Sequence, residues 1–336
     1  MADNPKIAIA GAGSIGCYIG GCLALAGRRV ALLARPRIVD AVTQGLRISD
    51  FEGRDRVLPA GAVAATNDPA AALAAAEIIL VTVKSGQTEE MARLVDRHGQ
   101  PGALVVSLQN GVENAERIMA AMSRSRRPVA AGMVAFNVVQ SGSAPLRAHR
   151  GTQGEVIVKA GHGLAAALDA PGLPVKEADD MTPVLWGKLL LNLNNALNAL
   201  SGRPLAEQLA DRQWRRLLAG HMDEALQALA AAGIRPAALA GASPSLLPTI
   251  LRLPNWLFSR VARRMLAIDP EARSSMWEDL EQRRPTEIAE LQGAVQRLGS
   301  VHNVPTPLTA RIVELVRAAE AAEAGSPGLR SDQARL

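Results

Sequence analysis

The sequence predicts an α/β protein, with a doubly wound, mostly parallel sheet in its N-terminal part and an all-α domain in its C-terminal part. Three observations carry this expectation. Short apolar runs of strand type alternate with helical stretches as far as about residue 136. A glycine-rich turn, Gly11-Ala12-Gly13-Ser14-Ile15-Gly16, joins the first of those runs to a helix of small residues. From about Asp180 onward strand signals nearly vanish, and Leu, Ala, Glu and Arg recur at helical spacing. A chain of 336 residues is comfortable for two cores. The expected domains are 1–179 and 180–323, and AGSPGLRSDQARL, residues 324–336, reads as a disordered tail.

Taken in order, KIAIA (6–10) is a short buried strand, followed by the glycine turn, a helix to about Gly27 and a second strand in RVALLAR (29–35). Strand runs recur at EIILVTVK (77–84), ALVVSLQN (103–110) and PVAAGMVAF (128–136). The stretch 135–177 reads as short strands and turns with a brief helix, a sheet extension closing the domain. VLWGKLLLNLNNALNALSG (184–202) then opens the helical domain, and a proline-punctuated segment from 236 to 272 mixes large apolar residues with arginines.

The composition is that of a globular protein, 48% hydrophobic and 21% charged, and no apolar run is long enough to span a membrane. The first residues, MADNPKIAIAGAG, enter a strand directly, so no signal peptide is expected and the location is read as cytoplasmic. A net charge of +5 raises the question of nucleic acid, but aromatics are only 2% and the basic residues are scattered, which favours a small anionic ligand. The one local basic cluster, residues 123–127, reads as a solvated loop. Cys17 and Cys22 share one helix at a spacing that points them to different faces, so no disulfide is expected. The five histidines show no ligand spacing, and no metal site is expected.

The run Gly11, Ala12, Gly13, Ser14, Ile15, Gly16 is a GxGxxG motif in the context it needs, after a strand and at the head of a helix. The first glycine permits the turn, the second lets backbone approach a pyrophosphate, and the third allows close helix packing. A Rossmann-type dinucleotide-binding domain is therefore expected. Its second strand ends not in an acid for the ribose hydroxyls of NAD but at Arg35, with Arg37 two residues on. A guanidinium pairs with a 2′-phosphate, so the expected cofactor is NADPH/NADP, against the alternative that Arg35 merely solvates a loop. Lys84 and Asn110 close two further strands, at the ends where ligands bind in such sheets. An exposed lysine and an Asn-Gly turn are the structural alternatives.

In the 184–202 helix, Lys188 and Asn192 are four residues apart and share a face that Asn195 continues. Hydride delivery to a ketone builds negative charge on its oxygen, and an ammonium group on a rigid helix at the edge of the domain supplies both charge and proton. Lys188 snorkelling from a half-buried helix is the competing account.

Together these features resemble the ketopantoate reductase (2-dehydropantoate 2-reductase) family: GxGxxG, a strand ending in Lys, a QNG turn, W-x-K-L-x-x-N, and a later SSM…RxTEI segment, in order from Lys6 to about Gly293. The resemblance implies NADPH-dependent reduction of ketopantoate to pantoate, on the route to pantothenate and coenzyme A. It implies Lys188 as the catalytic lysine, Glu287 as an acid of the same site, Asn192 and Ser275 as substrate ligands, Asn110 near substrate and nicotinamide, and Lys84 as the strand-end lysine. Ser275 also has Glu278 three residues on, a capping-box spacing that is a structural reason for the serine. One departure is evident: the family's second asparagine, eight residues after the lysine, is Ala196 here, and Asn195 is its nearest substitute. A reductase of a different 2-oxo acid and a non-catalytic NADP-binding redox sensor remain the alternatives. The apolar segment 244–268 offers a surface for a homodimer.

Overall fold

In a computed structural model of the chain, the described residues are 6–124, 126–239, 243–262 and 271–335. The chain divides into two compact units, Met1–Met181 and Thr182–Leu336; the sequence had placed the break at 179/180. Among the described residues no helix is long and apolar enough to cross a membrane.

The first unit carries strands β1 (Lys6–Ala10), β2 (Arg29–Leu33), β3 (Leu46–Asp50), β4 (Asp55–Leu58), β5 (Ala64–Thr66), β6 (Ile78–Val81), β7 (Leu104–Ser107), β8 (Val129–Val134), β9 (Val138–Ser141), β10 (Leu146–Arg150), β11 (Val156–Lys159) and β12 (Val175–Ala178). Its helices are α1 (Ser14–Leu25), α2 (Pro36–Thr43), α3 (Pro69–Leu73), α4 (Thr88–His98), α5 (Asn114–Ala121) and α6 (Leu164–Leu168). The main sheet runs β12-β11-β8-β7-β6-β1-β2-β5. The six strands from β8 to β5 are mutually parallel. The strand order reverses direction between β1 and β6, the switch point at which a doubly wound sheet binds ligand. Successive residues of β1 face opposite ways, and both faces are covered. Ile7 and Ile9 join the core with Tyr18 and Leu32, while Ala8 and Ala10 join the opposite one with Ile79 and Val81. Burial on both sides is why these strands are continuous apolar runs.

The extension expected over 135–177 is present but divided. Strands β11 and β12 lengthen the main sheet, whereas β9 and β10 join the β3–β4 hairpin in a second sheet, β4-β3-β10-β9. Arg127, read from sequence as part of a solvated loop, is instead buried against Asp96, with its guanidinium 3.3 Å from the carboxylate. It also donates from Nε to the Gln100 carbonyl beyond the end of α4. A guanidinium reaching several carbonyls at a helix end is held there at little desolvation cost.

The second unit is helical: α7 (Thr182–Asn192), α8 (Asn194–Ser201), α9 (Leu205–Ala210), α10 (Arg212–Ala231), α11 (Leu247–Arg252), α12 (Asn255–Val261), α13 (Ser275–Glu281), α14 (Gln292–Val301) and α15 (Pro307–Ala322). The helix expected over 184–202 is broken at Leu193, where the buried Gln292 amide inserts and donates to the Leu193 carbonyl at 3.1 Å. Residues 240–242 and 263–270 of the apolar, arginine-bearing segment lie outside the described residues.

The tail corrects its expectation of disorder. Ser326 Oγ donates to the Ala199 carbonyl at 2.6 Å and Leu329 N to that of Leu200 at 2.8 Å, while Ser326 N donates to Glu281 at 2.9 Å. Ala334 is fully buried. The last carbonyls of a helix lack partners within it, and this polar segment supplies them.

Candidate active site

In the first unit, the glycine turn has the geometry of a phosphate cradle. Gly11 adopts φ +95°, and a Cβ there would stand 2.2 Å from Val83 of the chain beyond β6. A Cβ on Gly16 would meet Thr82 Oγ1 at 2.6 Å and Ile9 at 2.8 Å, so this glycine lets α1 lie close to the sheet. Over Gly13, by contrast, nothing lies within 4 Å, and no side chain caps the N-terminus of α1. Open space above a glycine at the head of a twelve-residue helix, whose first N–H groups are unfilled by any cap, fits a pyrophosphate. Ala12 is buried beneath the turn, while Ser14 and Ile15 begin the helix half-exposed.

Arg35 follows β2 as the residue before α2, and both it and Arg37 are exposed. Among the described residues neither guanidinium forms a hydrogen bond or ion pair. Both stand just beyond the end of β2, where the sequence expects a 2′-phosphate. Arg35→Ser is expected to raise the KM for NADPH by about ten- to a hundredfold, the worth of a charge-assisted pair, while leaving that for NADH nearly unchanged. Initial rates with the two cofactors measure this directly.

Lys84 and Asn110 are brought together at the ends of β6 and β7. Ser85, next to Lys84, donates its hydroxyl to the Asn110 carbonyl at 2.8 Å. Asn114 Nδ2 donates to Ser85 Oγ at 3.2 Å, and Thr88 Oγ1 to Asn114 Oδ1 at 3.0 Å. Gln109 Nε2 donates to Val83 O at 3.0 Å and to Thr88 Oγ1 at 2.7 Å. Gln109 of the QNG turn is thus a buried tie between two strand ends, and neither its partner Thr88 nor the Ser85 and Asn114 that hold the Asn110 carbonyl were legible as such. They come from separate stretches, with no spacing that links them.

In the second unit, Lys188 is half-buried on α7 among buried Val184, Trp186, Leu189 and Leu190. Among the described residues it makes no hydrogen bond or ion pair. The chain at Ala237 lies directly against this helix, its N–H on Pro183 O at 2.8 Å. Only a glycine at 187 admits that approach, since a Cβ there would be 2.4 Å from the Ala237 carbonyl. Burial pushes the Lys188 ammonium down from 10.5 to about 8, because desolvation penalises the charged form. Asn192 lies one turn further along α7 and is buried at 9% exposure.

The asparagines beyond the Leu193 break divide in two. Asn195 is half-exposed, and its amide makes no hydrogen bond among the described residues. Asn194 and the fully buried Asn198 bond instead to Gln208 of α9. Ala196, where the family carries its second asparagine, is fully buried.

Ser275 is the first residue of α13, not its cap. Ser274 caps the helix, its Oγ accepting from Trp277 N at 3.2 Å and donating to the Asn195 carbonyl at 3.0 Å. The cap read at Ser275 therefore falls one residue earlier, with Trp277 where a capping box has an acid, which leaves the exposed Ser275 hydroxyl outside the cap. Glu287 is half-buried in the turn ahead of α14, five residues before the Gln292 that holds Leu193. The structure thus joins the helix of Ser275 directly to that of the asparagines, and reaches the stretch of Glu287 through Gln292.

A sheet with six parallel strands and a glycine turn at its switch point in one unit, and a lysine and amides on the helices of the other, are the parts expected of an oxidoreductase that uses a nicotinamide dinucleotide. Residues 7–163 match the family Ketopantoate reductase PanE/ApbA, and residues 180–320 match its C-terminal region. The chain belongs to the ketopantoate reductase family. It is 29% identical over 347 residues to a 2-dehydropantoate 2-reductase of Mesorhizobium japonicum, covering 93% of this chain and 97% of that protein. A 2-dehydropantoate 2-reductase of Archaeoglobus fulgidus is 25% identical over 324 residues, with coverage of 94% and 98%. Among solved structures, a PanE/ApbA family ketopantoate reductase from Ralstonia eutropha JMP134 superposes with a TM-score of 0.80 at 31% identity, covering 95% of this chain and 99% of that one. A D-mandelate dehydrogenase solved with NADH and anilino(oxo)acetate shares the fold, with a TM-score of 0.76 at 21% identity and coverage of 95% and 99%.

Proposed function

We propose that the chain reduces ketopantoate to pantoate, consuming NADPH and one proton. The observation that carries this reading is Lys188, an ammonium in an apolar helix with no hydrogen bond or ion pair among the described residues, its pKa brought by burial to about 8. Bound NADPH supplies the hydride to the 2-oxo carbon. Lys188 gives its proton to the ketone oxygen as charge develops there, and a group titrating near the working pH is suited to that transfer. Asn192 and Asn195 orient the substrate by their amides, Ser275 binds its carboxylate, and Glu287 holds the lysine end of the site. Asn110 serves substrate and nicotinamide. Gly11 to Gly16, Arg35 and Lys84 hold the cofactor.

The test is the initial rate of NADPH oxidation with ketopantoate and with a panel of other 2-oxo acids. A second reading, a reductase of a different 2-oxo acid, is favoured by one observation: Ala196 is buried and the neighbouring Asn198 is committed to protein. Turnover of another acid alone selects it. NADPH binding with no turnover selects the sensor.

The reading includes a cytoplasmic location, checked by cell fractionation, and a homodimer formed through the helical unit. Leu246, Trp256 and Val261 expose large apolar surface, Trp256 to 71%. Trp256→Arg is expected to shift sedimentation from dimer to monomer at micromolar concentration.

A further inference from the structure

We infer that Asn198 is a positioning residue for the substrate site, holding the start of α13 so that Ser275 meets the substrate carboxylate. The inference rests on the proposed role of Ser275. Asn198 Oδ1 accepts the Ser274 N–H at 2.8 Å, while its Nδ2 donates to the Arg203 carbonyl at 2.9 Å and to Gln208 Oε1 at 3.1 Å. Gln208 is itself fixed, donating from Nε2 to Asn194 Oδ1 at 2.9 Å and accepting from Asn194 Nδ2 at 3.3 Å. Asn198 and Gln208 are both fully buried.

This is more than is needed to close a helix. Capping of α13 is done by the Ser274 hydroxyl, which Asn198 does not touch; Asn198 takes the backbone N–H of the residue ahead of Ser275. With Ser274 Oγ also on the Asn195 carbonyl, the residue before Ser275 is held to α8 at two points. The Asn198 amide, with both N–H groups and its oxygen in use, has one orientation, because any other leaves a donor or acceptor unpaired in a dry interior. The amide that the family places at the substrate is absent at 196, and two residues on an amide braces another ligand.

The test is a double-mutant cycle with Ser275→Ala and Asn198→Ala, read by KM for the keto acid, kcat and the NADPH dissociation constant, with melting to certify folding. Ser275→Ala is expected to raise KM roughly tenfold, the worth of one hydrogen bond to a charged group. Asn198→Ala is expected to raise KM by a similar factor, with kcat and NADPH binding nearly unchanged, and to add nothing in the Ser275→Ala background. Asn198→Asp, which keeps the acceptor for the Ser274 N–H, is expected to recover part of the loss, and it replaces the alanine variant in the cycle if that variant does not fold. An unchanged KM in the folded Asn198 variant, or effects that multiply independently, overturns the positioning role. An unchanged KM in Ser275→Ala overturns the reading of Ser275 beneath it.

Discussion

Lys188→Met is expected to lower kcat by about 10²–10⁴, the contribution of a positioned general acid, and at the same time to make the protein more stable at neutral pH. The two effects share one cause. Burial lowers the folded-state pKa of Lys188 from 10.5 to about 8, so at pH 7 the fold carries a desolvated ammonium that the unfolded chain keeps in water. For a base with a depressed pKa, the unfolded state binds more protons between pH 8 and pH 10.5, so stability rises with pH across that window. The stabilising contribution is complete above the unfolded value and is lost as pH falls through about 8. Methionine removes the penalty, a gain on the order of 3 kcal/mol at pH 7 that vanishes toward pH 10.5. Denaturant titrations at the two pH values measure it; a variant less stable than the parent at pH 7 contradicts the account. In the parent, kcat/KM for reduction is expected to fall above about pH 8 as the acid deprotonates. Lys188→Arg, charged at every accessible pH, is expected to lose that limb along with most of the rate.

Arg215→Ala is expected to cost the helical unit about 3–5 kcal/mol, from the loss of several charge-assisted hydrogen bonds and the cavity left behind. Arg215 is fully buried on α10. Its Nε donates to Leu251 O at 3.1 Å, Nη1 to Leu209 O and Ala210 O at 2.8 and 2.9 Å, and Nη2 to Leu253 O and Asn255 Oδ1 at 3.0 and 2.8 Å. Its guanidinium carbon lies 4.1 Å from the centroid of the Phe258 ring. All five N–H groups are used, and the acceptors lie at the ends of α9 and α11 and the start of α12. Alanine leaves those acceptors buried and unpaired as well as opening a cavity. Lysine has three donors and no planar fork, so Arg215→Lys is expected to recover less than half of the loss. The alanine variant's melting temperature is expected to drop by roughly 10 °C.

What was legible in the sequence was whatever repeats locally. The parallel strands announced themselves because each is buried on both faces. The glycine turn was visible because its spacing is its function, and Lys188 because an ammonium is out of place among leucines. The β3–β4 hairpin was missed because LRISD, though mostly buried, mixes charged with apolar residues and DRVL is mostly exposed, so no apolar run marks them. Ser274 was hidden by Ser275, since two adjacent serines both satisfy the spacing of a cap. Asn198 and Gln208 are ten residues apart on different helices, and only packing decides that they meet. The tail misled for the same reason: its composition is that of a linker, and its order comes from helix-end carbonyls far away in sequence.

Both cysteines, Cys17 and Cys22, belong to the nucleotide-binding unit and are buried, their thiols pushed up to about 12 and about 11. All four tryptophans, 186, 214, 256 and 277, belong to the helical unit. The chain therefore has a separate optical reporter for each half. Thiol-reactive dyes stay dark until the first unit opens, and indole fluorescence follows the second, so one sample of unmodified protein shows whether the halves unfold together or in turn.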